Sequence, residues 1–407
     1  MEINFINKPK NKNPLEIETN NGKYIITINV KNLSTYDFNQ IINSIQKFLS
    51  NNIKITFSDI HEYEAENILL KLNNITYSYI DPRKLNVPKQ FNKLISEVED
   101  YKRIVIEPNK YQETMLKYFI SKIPKNYTYK KFLVRMGNKD FPLTAAVGQG
   151  SSHDSYFIHI YPKKQNKNWD DIFMIGKCVT FDSGGMNIKI RNMEEMKTDM
   201  AGSAILIGVL NMTNNLKKNI HLLIPIVENY VGSKATRPST VVETINGHTV
   251  EITDTDAEGR LCIADAVEYF NKYLYSKKLK NPLLLDIATL TGNAAQITCS
   301  TSCIITGNQK SKKYINKLFD CGEYTREFTD ILILRENYVK SLDSKVAEIK
   351  NWSSKCSAGC LVGASFIDFF VKKDIPWIHM DVASVVYNNE TVSSYGINLL
   401  TKFLESI

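Results

Sequence analysis

Carboxylates recur at every second position of TDTDAEGRL, residues 253–261: Asp254, Asp256 and Glu258, with Arg260 completing the series. In an extended chain all four side chains would point to one face. Three carboxylates crowded in a desolvated cleft raise one another's pKa. A helix N-terminus offsets this by only a few tenths to about 1 kcal/mol. A divalent cation removes the difficulty. Hard carboxylate oxygens suit Mg, Mn or Zn, and two cations can share a bridging carboxylate and a water. Taken alone, the row also fits a solvated edge strand.

Two further segments carry charges that a core does not tolerate unaided. In IGKCVTFDSGGMNIK, residues 175–189, Lys177 follows an apolar run and precedes Val179 and Phe181. A lysine in that setting must snorkel, pair or lose its proton. Asp182 follows, then a Ser-Gly-Gly whose glycines permit unusual dihedrals, then Lys189. In MKTDMAGSAILIGVL, residues 196–210, Asp199 stands just before a small-residue-rich apolar helix, where capping would be an ordinary role.

The elements that must position these residues alternate along the chain. Apolar, strand-like runs are expected at Tyr156–Pro162, Asp171–Gly176, His221–Asn229, Pro282–Leu290, Cys303–Gly307 and Pro376–Ser384. Several are nearly continuous, as in strands buried on both faces. Helical patterns separate many of them, including AGSAILIGVLNMTNN and LCIADAVEYFNKYLYSKK, the latter with Ile263, Val267, Phe270 and Leu274 on one face. Asn-Gly in ETINGHTVEI predicts a tight hairpin just before the acid row. The expected fold class is α/β: a C-terminal catalytic domain with a mixed, largely parallel sheet flanked by helices, plus a small N-terminal α/β domain. Ligands in such sheets bind beyond the carboxyl ends of the strands.

The expected divisions are a small domain over 1–80, a linker and connecting helix over 81–105, and the catalytic domain over 106–407. The first contains KYIITINV (Lys23–Val30) and a helical pattern at Asp37–Ser50. The boundary is set at Ile80–Gln90, which has two prolines and few large apolar residues. At 407 residues, 43% hydrophobic and 23% charged, the chain can bury a large core. Its net charge of +8 comes mostly from lysine and reads as a solvated surface. No dense basic block with interleaved aromatics anchors a nucleic-acid partner. The seven cysteines lie between Cys178 and Cys360 without a C-x-x-C, which fits core thiols and a reducing compartment. No apolar leader and no membrane span is expected.

Lys177, Asp182-Ser-Gly-Gly, Lys189, Asp199-Met and Asp256-Ala-Glu258-Gly-Arg260-Leu, in this order, resemble the leucyl (cytosol) aminopeptidases, the M17 family of two-metal exopeptidases. The resemblance continues through DIATLTGNA, VAEIKNWS and WIHMDVAS and covers about residues 100–400. It implies five metal ligands, Lys177, Asp182, Asp199, Asp256 and Glu258. Asp182 and Glu258 would bridge two ions, and Lys177 would be a neutral-lysine ligand. Zinc is implied, with Mn or Mg possible at the looser site. Lys189 would polarise the scissile carbonyl. Arg260, with backbone near Leu290, would hold a bicarbonate general base. Met196, Thr289, Gly292 and Ala383 would line an apolar pocket for a leucine-like N-terminal residue. Asp254 stands at a substrate-contacting position where the family usually has Asn. The N-terminal domain is about half the family's usual length. The resemblance further implies peptide substrates with a free N-terminus, a homohexamer and a cytoplasmic location. The alternative is a catalytically silent member with a structural or nucleic-acid-binding role. His153, His159, His221 and His379 are given no catalytic task and read as core or surface residues.

Overall fold

The computed structural model describes residues 92–388 and 391–407, together with five strands of the N-terminal region. These strands are β1 (Glu2–Ile6), β2 (Leu15–Asn20), β3 (Lys23–Asn29), β4 (Ile53–Ser58) and β5 (Leu85–Asn86), ordered β2-β3-β1-β4-β5. The β-branched run from Lys23 is the strand its composition predicts. The helix expected at Asp37–Ser50, and most of the expected boundary, lie outside the described residues. The connecting helix is α1 (Asn92–Ile106). The chain forms two compact units, residues 1–100 with 322–327, and residues 101–321 with 328–407.

The larger unit alternates strands with helices. In chain order come α2 (Gln112–Lys122), β6 (Tyr127–Val134), α3 (Pro142–Gly148), β7 (Ser155–Pro162), β8 (Asp170–Gly176), β9 (Cys178–Asp182), α4 (Ala201–Thr213) and β10 (Lys218–Asn229). The hairpin β11 (Thr240–Glu243) and β12 (Thr249–Ile252) precedes α5 (Gly259–Tyr269). Then follow β13 (Leu283–Ala288), α6 (Gly292–Thr298), β14 (Cys303–Gly307), α7 (Lys312–Thr325), β15 (Thr329–Ile331), α8 (Glu336–Lys340), β16 (Ile349–Lys350), α9 (Gly359–Phe370), β17 (Trp377–Asp381), α10 (Ala383–Val386), β18 (Tyr387–Asn388), β19 (Thr391–Val392) and α11 (Ile397–Ser406).

The main sheet runs β15-β14-β17-β13-β8-β10-β7-β6, with β9 also on β10. Its centre, β17-β13-β8-β10, is parallel, and antiparallel pairs close both sides. Every residue of β10 is buried, which explains its nearly continuous apolar reading. The six strands expected in this unit are all present. β6 escaped notice because its residues are largely exposed or half-buried, as on an edge. β9 escaped because it is short and follows Lys177 directly.

This topology puts the chemistry at one end of the sheet. The parallel strands β8, β10, β13 and β17 end at Gly176, Asn229, Ala288 and Asp381. β8 and β9 pair with successive stretches of β10, so Lys177 falls at the break between them. Its backbone N–H is caught by the carbonyl of Ile287 on β13, at 3.1 Å. The lysine is thereby fixed among the strand ends.

Two buried histidines pack elsewhere in the sheet. His159 Nε2 and His221 Nδ1, on β7 and β10, lie 2.9 Å apart. Burial pulls His221 down to about 4, and burial with the neighbouring His221 and Lys130 pulls His159 to about 2. Both folded values lie below the unfolded value near 6.5. The stability they allow is therefore complete above pH ~6.5 and is lost as pH falls, about 2 kcal/mol for each ring by pH 5. Histidine-selective NMR is expected to find both rings neutral at pH 5; a titration of either near 6.5 would refute this.

Candidate metal centre

The acid row is not a strand. β12 ends at Ile252, and residues 253–258 form a turn before α5. Asp254 Oδ1 accepts the backbone N–H of Asp256 at 2.9 Å, and the Ala257 N–H reaches the Asp254 carbonyl at 3.3 Å. Asp254 thus shapes the turn that aims Asp256 and Glu258, and its even spacing with them does not mean a shared face.

Asn351 holds this turn from the other side. Its Nδ2 donates to the carbonyls of Asp254 and Ala257 at 2.6 and 3.1 Å. Its Oδ1 accepts the N–H of Thr253 and Asp254 at 2.8 and 3.2 Å. Its backbone carbonyl accepts Arg260 Nη1 at 3.0 Å. The residue is fully buried. It belongs to the motif VAEIKNWS, yet nothing in the sequence gave Asn351 a role.

The Asp182 loop is knitted to the same turn. Asp182 Oδ1 accepts Asn229 Nδ2 at 2.7 Å and the Gly184 N–H at 2.9 Å. Gly184 takes φ +87°, and a Cβ there would sit 2.3 Å from the Asn187 carbonyl oxygen, so only glycine makes this turn. Asn229 also donates to the Thr255 carbonyl at 2.9 Å, while Asn187 and Thr255 exchange bonds of 2.8 and 3.0 Å. Asn229 and Asn187 were not singled out from sequence. The only signal for Asn229 was a polar residue ending an apolar strand.

Six of the chemistry-bearing side chains meet in one network. Lys177 Nζ lies 2.6 Å from Asp199 Oδ1, 2.9 Å from Glu258 Oε1 and 2.9 Å from the Thr289 carbonyl. Lys189 Nζ lies 2.7 Å from Asp182 Oδ2 and 2.5 Å from Asp256 Oδ1. Asp199 does not cap α4; Met200 holds the N-cap position, and the Asp199 carboxylate accepts Thr289 Oγ1 at 2.7 Å. Ligand atoms of Asp182, Asp199 and Glu258 all fall within 4.8 Å of one another. Asp199 Oδ2 and Glu258 Oε2 are buried and make no hydrogen bond.

Charge does not balance here. Four carboxylates face two ammonium groups, leaving an excess of two negative charges in a largely buried cluster. Burial raises Asp182 and Asp199, with Glu258 adding to both. Burial, Asp182 and Glu258 push Asp256 up to about 7. For Glu258, burial is outweighed by Lys177 and Lys189, which hold it low. For Lys177, burial pulls the pKa down, but Asp199, Glu258 and Asp182 prevail and raise it. Burial by itself thus favours the free amine, as expected of a lysine after an apolar strand. The chain's own groups hold an ammonium, and only added positive charge reverses that balance. Two unpartnered buried carboxylate oxygens beside an unbalanced anionic cluster fit hard divalent cations.

Arg260 and Leu290 both lie against Gly363. Arg260 is buried and its Nε has no hydrogen-bond partner, a donor suited to an anion. Burial draws its pKa down, while Glu258, Asp254 and Asp381 act the other way. The Leu290 N–H already points to Asp381 Oδ1 at 3.1 Å, so any anion there shares that amide with a carboxylate. Met196 lies in the short turn Met193–Thr198 before Asp199, Gly292 opens α6 and Ala383 opens α10. His379 is buried, whereas His153 is exposed and stacks on Tyr111. All seven cysteines are free thiols. No helix among the described residues is long and apolar enough to cross a membrane.

A mixed α/β sheet thus carries, at its strand ends, a buried lysine-bridged acidic cluster that could hold a metal ion. Residues 97–401 match the catalytic domain of the cytosol aminopeptidase family, Peptidase M17, and the chain belongs to that family. A probable cytosol aminopeptidase of Protochlamydia amoebophila (strain UWE25) is 37% identical over 286 residues, 67% of this chain and 55% of the relative. One of Phytoplasma australiense is 35% identical over 269 residues, 64% and 53% respectively. One of Wolbachia pipientis wMel is 29% identical over 365 residues, 85% and 72%. The chain spans about half the length of the first two relatives.

Proposed function

We propose that the chain is a metal-dependent aminopeptidase that removes apolar, leucine-like residues from the free N-terminus of peptides. The observation that carries this reading is the buried cluster in which Asp199 Oδ2 and Glu258 Oε2 lack partners. Lys177, Asp182, Asp199, Asp256 and Glu258 would hold two divalent cations, zinc at one site and zinc, manganese or magnesium at the other. Bound there, the cations would supply Lewis acidity toward a carbonyl and lower the pKa of a water.

The chain's own groups would do the rest. Lys189, half-released from Asp182 and Asp256, would donate to the carbonyl oxygen as negative charge grows on it. Arg260, with backbone at Leu290, would hold bicarbonate as the base that takes and returns a proton. Met196, Thr289, Gly292 and Ala383 would line the pocket for the N-terminal side chain. Asp254 would act through the turn it shapes. A homohexamer and a cytoplasmic location belong to the same proposal; the relatives are named probable cytosol aminopeptidases. The test is hydrolysis of leucine amide by protein loaded with Mn or Zn, with and without bicarbonate. Turnover that disappears with a chelator is expected. Loaded protein without turnover would favour a silent family member.

Gly259 offers a second check. A Cβ there would lie 2.5 Å from Lys177 Cε and 2.8 Å from Nζ. Alanine at the first residue of a helix is ordinarily harmless. Here Gly259→Ala is expected to displace Lys177 and lower kcat/KM about 10²-fold, because small misplacements at reacting groups cost that much. A variant with unchanged kcat/KM would show that Lys177 tolerates displacement.

A further inference from the structure

A large cavity of ≈1190 Å³ is lined by parts of two chain segments that lead into the acidic cluster, and its charge is opposite to the cluster's. Lys139, Lys234, Arg237 and Lys272 line it, against one carboxylate, Glu243. The bias is local, because the whole chain has 51 basic and 43 acidic residues. Lys139, Lys234 and Arg237 are exposed and make no ion pair among the described residues. Lys272 donates to the Ile245 carbonyl at 3.1 Å, which spends one of its three protons.

The cavity is framed by two of the segments that carry the candidate metal ligands. Met186 lines it, and the same loop continues to Lys189. The hairpin β11–β12 forms another wall, and β12 runs directly into the turn bearing Asp256 and Glu258. The Arg237 segment is tied to that strand: the Ser239 N–H donates to the Ile252 carbonyl at 2.7 Å, and the Thr240 N–H to the Arg237 carbonyl at 3.1 Å. Lys139 sits in an ordered turn in which Asn138 Oδ1 accepts the N–H of Asp140 and Phe141 at 2.9 and 2.8 Å. The cations are therefore presented from fixed backbone.

We propose that this basic cavity receives the part of a peptide substrate downstream of the cleaved residue, and selects peptides with acidic side chains there. This rests on the aminopeptidase reading. The carboxylate class follows from four cations with one acid. A peptide rather than a nucleic acid follows from the lining, which has no aromatic side chain among the described residues for base stacking. Met136, Met186 and Val242 offer apolar contact to a peptide chain instead.

Two measurements test it. First, anisotropy of fluorescein-labelled Leu-Gly-Asp-Glu-Asp and Leu-Gly-Lys-Arg-Lys is read with chelator-treated protein at low salt. The acidic peptide is expected to bind about tenfold more tightly, since several exposed charge pairs each add a little, and to lose that margin in 0.5 M salt. Second, kcat/KM is measured on the unlabelled pair, each divided by the same preparation's value on leucine amide. The acidic peptide is expected to lead by a similar factor, and Lys139→Glu with Arg237→Glu to reverse the order. Equal binding and equal relative rates would overturn the proposal. So would displacement of the acidic peptide by an unstructured oligonucleotide that binds more tightly. No hydrolysis of leucine amide at all would sink the aminopeptidase reading instead, and the binding measurement would still judge the cavity.

Discussion

Asp256→Asn is expected to lower leucine-amide hydrolysis about 10³-fold and, in chelator-treated protein at pH 8, to raise the melting temperature. The two effects have one cause. Burial, Asp182 and Glu258 push the Asp256 carboxyl up to about 7, from an ordinary value of 3.8. Below pH 3.8 the group is neutral folded and unfolded, and it changes nothing. Between 3.8 and about 7 the unfolded chain releases the proton that the folded chain keeps, so stability falls as pH rises through this window. Above about 7 the full penalty stands. Asparagine carries no such proton, so the variant's advantage grows across the window and then levels off. The side chain is 35% exposed, and after solvent screening the gain is on the order of 1 kcal/mol. Saturating Mn should invert the order, because a cation that binds only the folded state stabilises by mass action, and the variant binds it less well. Calorimetry at pH 5 and 8, with chelator and with Mn, reads all four combinations. A variant less stable than wild type at pH 8 in chelator would refute the account of the cluster, as would one with wild-type activity.

That conflict between folding and chemistry is why the cluster was legible in sequence. A core does not keep Lys177, Asp182, Asp199 and Glu258 unless something offsets their burial; each segment alone had an ordinary reading, and it was the three together, with the family resemblance, that marked them. The central strands were legible for the opposite reason: β8, β10 and β13 are buried along all or nearly all of their length, and nearly continuous apolar runs record that. What holds the site was far less visible. Asn351 shapes the acid turn across about a hundred residues of chain, through backbone groups that leave no pattern. Asn229 and Asn187 work the same way. The spacing of Asp254, Asp256 and Glu258 misled as to geometry. Period-two spacing implies a shared face only in an extended chain, and here a side-chain-to-backbone bond from Asp254 closes a turn. The family resemblance supplied roles for Met196, Gly292 and Ala383 that spacing could not. The acid unexplained by that resemblance, Asp254, finds in the turn a structural use.

Asp286 leads to the other large expected effect, on stability. It lies in β13, beside β17, with its side chain wholly buried. Its Oδ2 accepts Trp377 Nε1 at 2.7 Å, and its Oδ1 lies 2.6 Å from His379 Nδ1. Register explains the second contact: Asp286 and His379 are direct partners in the parallel pair. Burial works to neutralise His379, but Asp286, then Asp381, outweigh it and raise its pKa, so the imidazolium is favoured. Asp286→Ala would leave that cation and the indole N–H without their acceptor in the middle of the sheet. Breaking a buried pair by removing one partner costs about 3–5 kcal/mol. In a unit of this size that is a fall of roughly 5–8 °C in melting temperature. Asp286→Asn keeps an acceptor for Trp377 and loses the charge, so its cost should be smaller. The pH dependence separates the ion pair from simple packing loss. A histidine whose folded pKa is raised contributes stability that is complete below its unfolded value near 6.5 and is lost as pH rises through the folded value. The gap between wild type and Asp286→Asn is therefore expected to be widest near pH 6 and to narrow in alkali, as read by urea unfolding at pH 6 and 9. An equal gap at both would mean that His379 is neutral and that Asp286 serves only as a hydrogen-bond acceptor.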